Sequence, residues 1–182
     1  MKKINVVLFE PEIPQNTGNI ARLCACTGAN LFLVGKLGFS LSDKYTKRAG
    51  LDYWESANIR KIDTLEQLQS EFKDATFYYL TTKSKKSYFD VKFKEGDFVM
   101  FGPETRGIPE TILDANKETA ITIPMLEGQR SLNLSNSVAI VVYEAIRQNG
   151  GGKWINILTK NMLKLFCQNA QRILIRELLG MC

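Results

Sequence analysis

The sequence predicts an α/β fold, a mostly parallel sheet flanked by helices on both faces, from three observations. Short apolar, β-branched runs alternate along the chain with stretches of helical periodicity, the order that strand–helix–strand crossovers require. Its 182 residues suit one main domain with a sizeable core. Residues 121–148 pass from a β-branched run through a polar loop into a long amphipathic helix, with no break in the alternation.

Taken in order, residues 4–9 (INVVLF) read as the first strand. Residues 15–27 read as a helix with Ile20, Leu23, Cys24 and Thr27 on one face. The next strand is 31–34, a short basic helix is expected at 43–50, and 59–62 is a brief strand. Thr64 is placed to cap the helix LEQLQSEF. Strands follow at 76–81 and 98–101, then a short helix at 109–115. The last strand, 121–123, stops at Pro124, which has no N–H to give a ladder. In the final helix Leu134, Val138, Val141, Val142 and Ala145 recur at the spacing of a buried face.

Composition excludes several classes. The 45% hydrophobic content argues against disorder, and no apolar run approaches the ~20 residues of a membrane helix. The start has two lysines and a short apolar run, but Asn5 interrupts it and Glu10-Pro11-Glu12 follows. That is no secretory signal, so a cytoplasmic protein is expected. The chain has no histidine, which excludes Ser-His-Asp and Cys-His nucleophiles and a histidine base. Its four cysteines form no CxxC pair, so no metal site is expected. GxGxxG and GxxxxGK[ST] are both missing, which leaves a Rossmann dinucleotide site or a P-loop unsupported.

The formal charge of +5 is uneven. Residues 153–182 hold Lys153, Lys160, Lys164, Arg172 and Arg176 against Glu177 alone, so the rest of the chain is nearly neutral. Local basic clusters at Lys44-Lys47-Arg48 and Lys83-Lys85-Lys86 suit phosphate contacts or a solvated face.

In parallel sheets ligands sit beyond the carboxyl ends of the strands. Three of the loops there are chemically loaded: Thr82-Lys83-Ser84, GPETRG at 102–107, and the loop between Glu127 and Asn136. The glycines let backbone approach a ligand closely, and Glu104 and Arg106 offer opposite charges or a surface ion pair. The third loop holds Gln129, Arg130, Ser131, Asn133, Ser135 and Asn136. A helix cap uses one such side chain; the remainder argue for a binding loop.

Three ordered segments carry a resemblance: EPEIPQNTGNIARLCACTGANLFLV (10–34), FGPETRGIP (101–109) and IPM…RSLNLSNSVAIVVYEAIRQ (123–148). They are similar to the three motifs of the SPOUT-class RNA 2′-O-methyltransferases, over roughly residues 4–150. GLDYWE (50–55) and LTTK (80–83) fit its small tRNA wobble-position (cytidine/uridine) ribose methyltransferase subfamily, the TrmL or YibK-like group. The resemblance implies a C-terminal deep trefoil knot, a rare topology that periodicity does not reveal. It implies S-adenosylmethionine as cofactor, leaving as S-adenosylhomocysteine, with Leu80, Gly102, Gly107, Ile123, Ser131 and Leu132 at its pocket. It implies a homodimer joined through the first and last motif helices, with residues of both subunits completing the site. The substrate would be the anticodon region of tRNA, and the catalytic positions Asn16, Arg22, Glu104, Ser131 and Asn133. The family's arginine is usually described as a base. A guanidinium with a pKa above ~12 is a poor proton acceptor, so Arg22 is better suited to bridging a phosphate and steadying an alkoxide. The motifs bind cofactor and ribose rather than read sequence, which leaves another tRNA or rRNA ribose, or a non-catalytic RNA-binding module, as alternatives.

Small relatives end soon after the last motif helix, whereas this chain continues through GGGKW (150–154). We therefore expect a methyltransferase domain at 1–150 and a basic amphipathic helical extension at 151–182. Leu158, Met162, Leu165, Phe166, Ile173 and Leu174 follow helical spacing there. Such a helix would contact RNA, the other subunit or anionic lipid, or serve only as an appendage.

Overall fold

The computed structural model of the protein describes residues 3–40 and 57–150. The basic helix expected at 43–50, the GLDYWE stretch and the 151–182 extension lie outside the described residues. Six strands form one sheet: β1 (Asn5–Phe9), β2 (Asn30–Val34), β3 (Asn58–Ile62), β4 (Phe77–Leu80), β5 (Phe98–Phe101) and β6 (Ala120–Ile121). Their spatial order is β3-β2-β1-β5-β4-β6 and every pairing is parallel. Among the described residues four helices connect them, α1 (Pro14–Thr27), α2 (Leu65–Glu71), α3 (Glu110–Ala115) and α4 (Leu134–Gln148), with 3-10 turns at Tyr88–Asp90 and Lys117–Thr119.

Alternation along β1 shows how both faces of the sheet are used. Val6 and Leu8 join one core with Ile20, Ala21 and Cys24 of α1 and Val138, Val141, Val142 and Ala145 of α4. Val7 joins the opposite core with Leu65 and Leu68 of α2 and Leu113 of α3. The periodicity of 134–148 therefore identified the buried face of α4, with Leu134 and Ile146 packed at its margin. On α1, Ile20, Cys24 and Thr27 are buried as expected and Leu23 is half-buried. Burial pushes the Cys24 thiol up to about 12, so it serves as a small apolar side chain. The second core has an aromatic centre: Phe98 stacks on Phe77 at 4.3 Å and meets Phe72 at 4.9 Å and Phe32 at 5.4 Å.

Asn5, the polar interruption in the first strand, is buried and fully employed. Asn5, Asn30 and Asn58 stand in register across β1, β2 and β3. Asn58 Nδ2 donates to Asn30 Oδ1 at 2.8 Å, Asn30 Nδ2 to Asn5 Oδ1 at 2.7 Å, and Asn5 Nδ2 to the Gly96 carbonyl at 2.8 Å. The last strand begins one residue earlier than expected and ends at Ile121 rather than Ile123. Beyond Ile121 the chain changes partners: Thr122 N donates to the Lys86 carbonyl at 2.8 Å, and Tyr88 N to the Thr122 carbonyl at 2.9 Å. That exchange of partner, not Pro124 alone, ends the pairing with β4.

The order reverses between β1 and β5: β1 leads to β2 and β3 on one side, while β5 leads to β4 and β6 on the other. A cleft lies on the β5 side of this reversal, at the carboxyl ends of β4, β5 and β6.

Two changes test this packing. Phe98→Ala should lower unfolding free energy by about 3–5 kcal/mol, read from the urea midpoint, because it removes a fully buried ring from an aromatic cluster. Glu144 on α4 accepts from Arg147 Nε at 2.8 Å and Gln148 Nε2 at 2.7 Å, and these bonds hold its carboxyl down at about 2. A depressed carboxylate stabilises above its unfolded pKa of ~4.3 and loses that effect as pH falls through the folded value. The stability gap between the intact protein and Glu144→Gln should therefore be constant from neutral pH to about 4.3 and close toward about 2.

Candidate functional site

The three loops flagged in the sequence converge. Loop 102–107 follows β5, and α1 begins just after β1, its neighbour in the sheet. The carboxylate of Glu104 reaches across to the start of α1. It accepts from Glu12 N at 2.9 Å, Ile13 N at 3.3 Å and Asn16 Nδ2 at 3.0 Å. Ile13, the residue at the N-cap of α1, has no side chain able to cap, and Pro14 occupies the first turn. Glu104 thus reaches from a distant loop to the two amides that lead into the helix, next to its positive end. Asn16 continues the chain of bonds: its Oδ1 accepts from Asn133 Nδ2 at 3.0 Å. Asn133 Oδ1 in turn accepts from Ser135 N at 2.9 Å and Asn136 N at 3.4 Å, capping α4. One line of side chains, Glu104–Asn16–Asn133, joins all three motif segments.

Further pairs reinforce the joint. Thr105 donates from Oγ1 at 2.7 Å and from its amide at 3.3 Å to Glu12 Oε2, and Arg106 Nη2 donates to Glu10 Oε2 at 2.5 Å. Glu104 and Arg106 therefore do not pair with each other, as a simple surface turn would have them; each is committed to the 10–16 segment. Glu10 has φ 45°, a left-handed conformation that costs side chains other than glycine about 1–3 kcal/mol. It is held there by its own amide, which donates to Val34 O at 2.8 Å, and by Arg106.

Backbone packing is tightest at Gly102. A Cβ there would lie 2.3 Å from the carbonyl carbon of Gly107 and from the amide nitrogen of Ile108. Only glycine lets the loop fold back on itself here. Gly107, at φ 70°, closes the turn by donating to Pro103 O at 2.8 Å.

Between these loops lies a cleft of about 640 Å³, within the ~300–1,000 Å³ of small-ligand sites. Leu80, Gly102, Gly107, Ile123, Ser131 and Leu132, the residues expected at the cofactor, all line it, as do Asn16, Glu104 and Asn133. Arg22 does not: it sits exposed on α1, away from its own chain's cleft. The sequence reading missed Ile13, Phe101 and Met125 as lining residues, and it missed the Glu10–Arg106 and Glu12–Thr105 pairs. The acids of Glu10-Pro11-Glu12 and the donors of Thr105-Arg106 were a visible signal of complementary charge. Nothing local said that they meet. Among the described residues no three His, Cys, Asp or Glu side chains gather to hold a metal ion, and no helix is long and apolar enough to cross a membrane.

Two variants probe the joint. Gly102→Ala should abolish ligand binding in the cleft, measured by calorimetry, since the added methyl meets backbone rather than a movable side chain. Glu104→Ala leaves the amides of Glu12 and Ile13 and the Asn16 amide without their acceptor. It should destabilise by about 1–3 kcal/mol in denaturant melts.

The match to known proteins covers this whole arrangement. Residues 3–143 match the model of the SpoU rRNA Methylase family. The tRNA (cytidine(34)-2'-O)-methyltransferase of Escherichia coli (strain K12) is 52% identical over 149 residues, covering 81% of this chain and 94% of that protein. The protein of the same description from Methylovorus glucosotrophus (strain SIP3-4) is 51% identical over 146 residues, 80% of this chain and 95% of its own length. A solved structure described as "Structural insights into the 2-OH methylation of C/U34 on tRNA" superposes with a TM-score of 0.78 at 40% identity, covering 82% of this chain and 98% of that one. On the strength of the family match and these relatives, the chain belongs to the SpoU rRNA Methylase family.

Proposed function

We propose that this chain is a tRNA ribose 2′-O-methyltransferase, moving a methyl group from S-adenosylmethionine to the 2′-hydroxyl of the wobble nucleotide, cytidine or a modified uridine. The observation that carries this reading is the cleft at the carboxyl ends of β4, β5 and β6, lined by every residue the family pattern places at the cofactor. Relatives about half identical over nearly their full length are tRNA (cytidine(34)-2'-O)-methyltransferases, which supports the wobble ribose as target.

The residues present fit the cofactor. Leu80, Ile123 and Leu132 offer apolar contact, and the Gly102–Gly107 turn presents backbone at close range. When bound, S-adenosylmethionine supplies an electrophilic methyl on a sulfonium. The chain's part is alignment, the source of most of the rate in a one-step displacement. Both Glu104 oxygens already accept protein hydrogen bonds, so Glu104 acts by holding α1 to the β5 loop. Asn133 and Asn16 fix the loop that carries Ser131, which lines the cleft.

Arg22 is assigned to the substrate phosphate and the developing alkoxide, in the cleft of a second copy. That it is exposed and does not line its own chain's cleft supports a homodimer built on α1 and α4. The half-exposed Ile140 and Tyr143 on α4 suit that interface. The C-terminal trefoil knot belongs to the same reading. So do a cytoplasmic location and the division at residue 150.

The test is methyl transfer from labelled S-adenosylmethionine to bulk tRNA, followed by nucleoside digestion. Label is expected on a wobble 2′-O-methyl nucleoside with the intact protein and reduced about 100-fold or more with Arg22→Ala, as when a group stabilising transition-state charge is removed. Label on another ribose would move the target, and no label on any RNA would sink the reading. Tyr143→Arg should yield monomers by light scattering and lose transfer with them.

A further inference from the structure

The cleft's charged residues are almost all committed within the protein, with one exception. Glu104 is bonded to the start of α1, Arg106 is paired with Glu10, and Lys83 Nζ donates to Glu110 at 2.5 Å. Arg130 lines the same cleft, is exposed, and has no carboxylate or hydrogen-bond acceptor among the described residues. It stands immediately before Ser131 and three residues before Asn133, on the loop that the Asn133–Asn16 bond ties to α1. A guanidinium is a rigid fork of donors matched to phosphate oxygens. Held without a counter-charge at the mouth of a cleft, it is matched to an anion that arrives with a ligand.

We propose that Arg130 holds a backbone phosphate of the RNA beside the ribose to be methylated, a substrate-binding contact made by the same chain that holds the cofactor. The proposal rests on the functional reading above and adds a residue to it. The charge of the two ligands favours RNA over cofactor as the partner. S-adenosylmethionine carries a sulfonium and an ammonium against one carboxylate, so it brings net positive charge to a cleft that already holds an unmatched cation. RNA brings the missing negative charge. A contact of this kind fixes register on the strand and reads no base.

The experiment measures tRNA binding across a salt series and S-adenosylmethionine binding by calorimetry. It compares the intact protein with Arg130→Ala, Arg130→Lys and, as a charge-matched control outside the cleft, Lys92→Ala. Arg130→Ala should weaken tRNA binding about tenfold and reduce the slope of log affinity against log salt by about 0.7–1. Cofactor affinity should stay within about twofold, since no contact to it is removed. Arg130→Lys should keep the slope while recovering only part of the affinity, because it restores the charge without the fork. A loss of cofactor affinity with an unchanged tRNA slope would assign Arg130 to the cofactor's carboxylate and overturn the proposal. An unchanged slope with unchanged affinities, or an equal change in Lys92→Ala, would overturn it as well. Because these readouts are binding constants, they are separate from the methyl-transfer assay. If the intact protein methylates no tRNA, the functional reading fails on that assay alone.

Discussion

The carboxylate of Glu104 is the joint on which the site depends. It lies on a loop after β5, yet it closes the start of α1, a helix whose own first residues cannot cap it. A helix end with open amides in a partly buried place is costly. The chain answers with an acceptor 91 and 92 residues from the amides it takes, and the same carboxylate then orients Asn16 toward Asn133. Position and stability are therefore one property here: loosening the loop would uncap the helix, and shifting the helix would unseat the loop.

The sheet makes this joint possible. Insertion of β5 beside β1 puts the end of one strand next to the beginning of α1, although the two are far apart in the chain. Tight backbone packing at Gly102 and the left-handed conformation of Glu10 are the local costs of drawing these loops together. Two cores, one under α1 and α4 and one under α2 and α3, hold the sheet firmly enough to sustain them. The polar residues tolerated inside, such as Asn5, are those that the register of three strands provides with partners.

Family membership gives these contacts a chemical meaning. A methyl donor needs a cleft with apolar walls and close backbone, and the ribose needs an arginine near its phosphate and its hydroxyl. One chain lines such a cleft with Leu80, Ile123 and Leu132 and the backbone of the 102–107 turn. Arg22 is exposed on α1 and is not among the residues that line the cleft, which is why the proposed reaction calls on a second copy for that group.

Most elements of the fold were legible in the sequence because they follow from local chemistry. The buried face of the helix at 134–148 was marked by its periodicity, but the loop expected to run to Asn136 ends earlier, because Asn133 caps the helix and Ser135 and Asn136 lie within it. The strands at 98–101 and 31–34 stood out as buried apolar runs, and Thr64 caps its helix as its position suggested, accepting from Gln67 N at 3.2 Å. The three loops were legible as loaded ends of strands, and the motif resemblance named the residues that line the cleft. The order of the strands was not legible, because nothing within β5 says that it will lie between β1 and β4. The partners of Glu10, Glu12 and Glu104 depend on that order. So do the change of partner that ends β6 at Ile121 and the employment of Asn5. Local sequence determined what each segment would be; only the tertiary pairing, through contacts between residues 88 to 117 positions apart, decided which of them would meet.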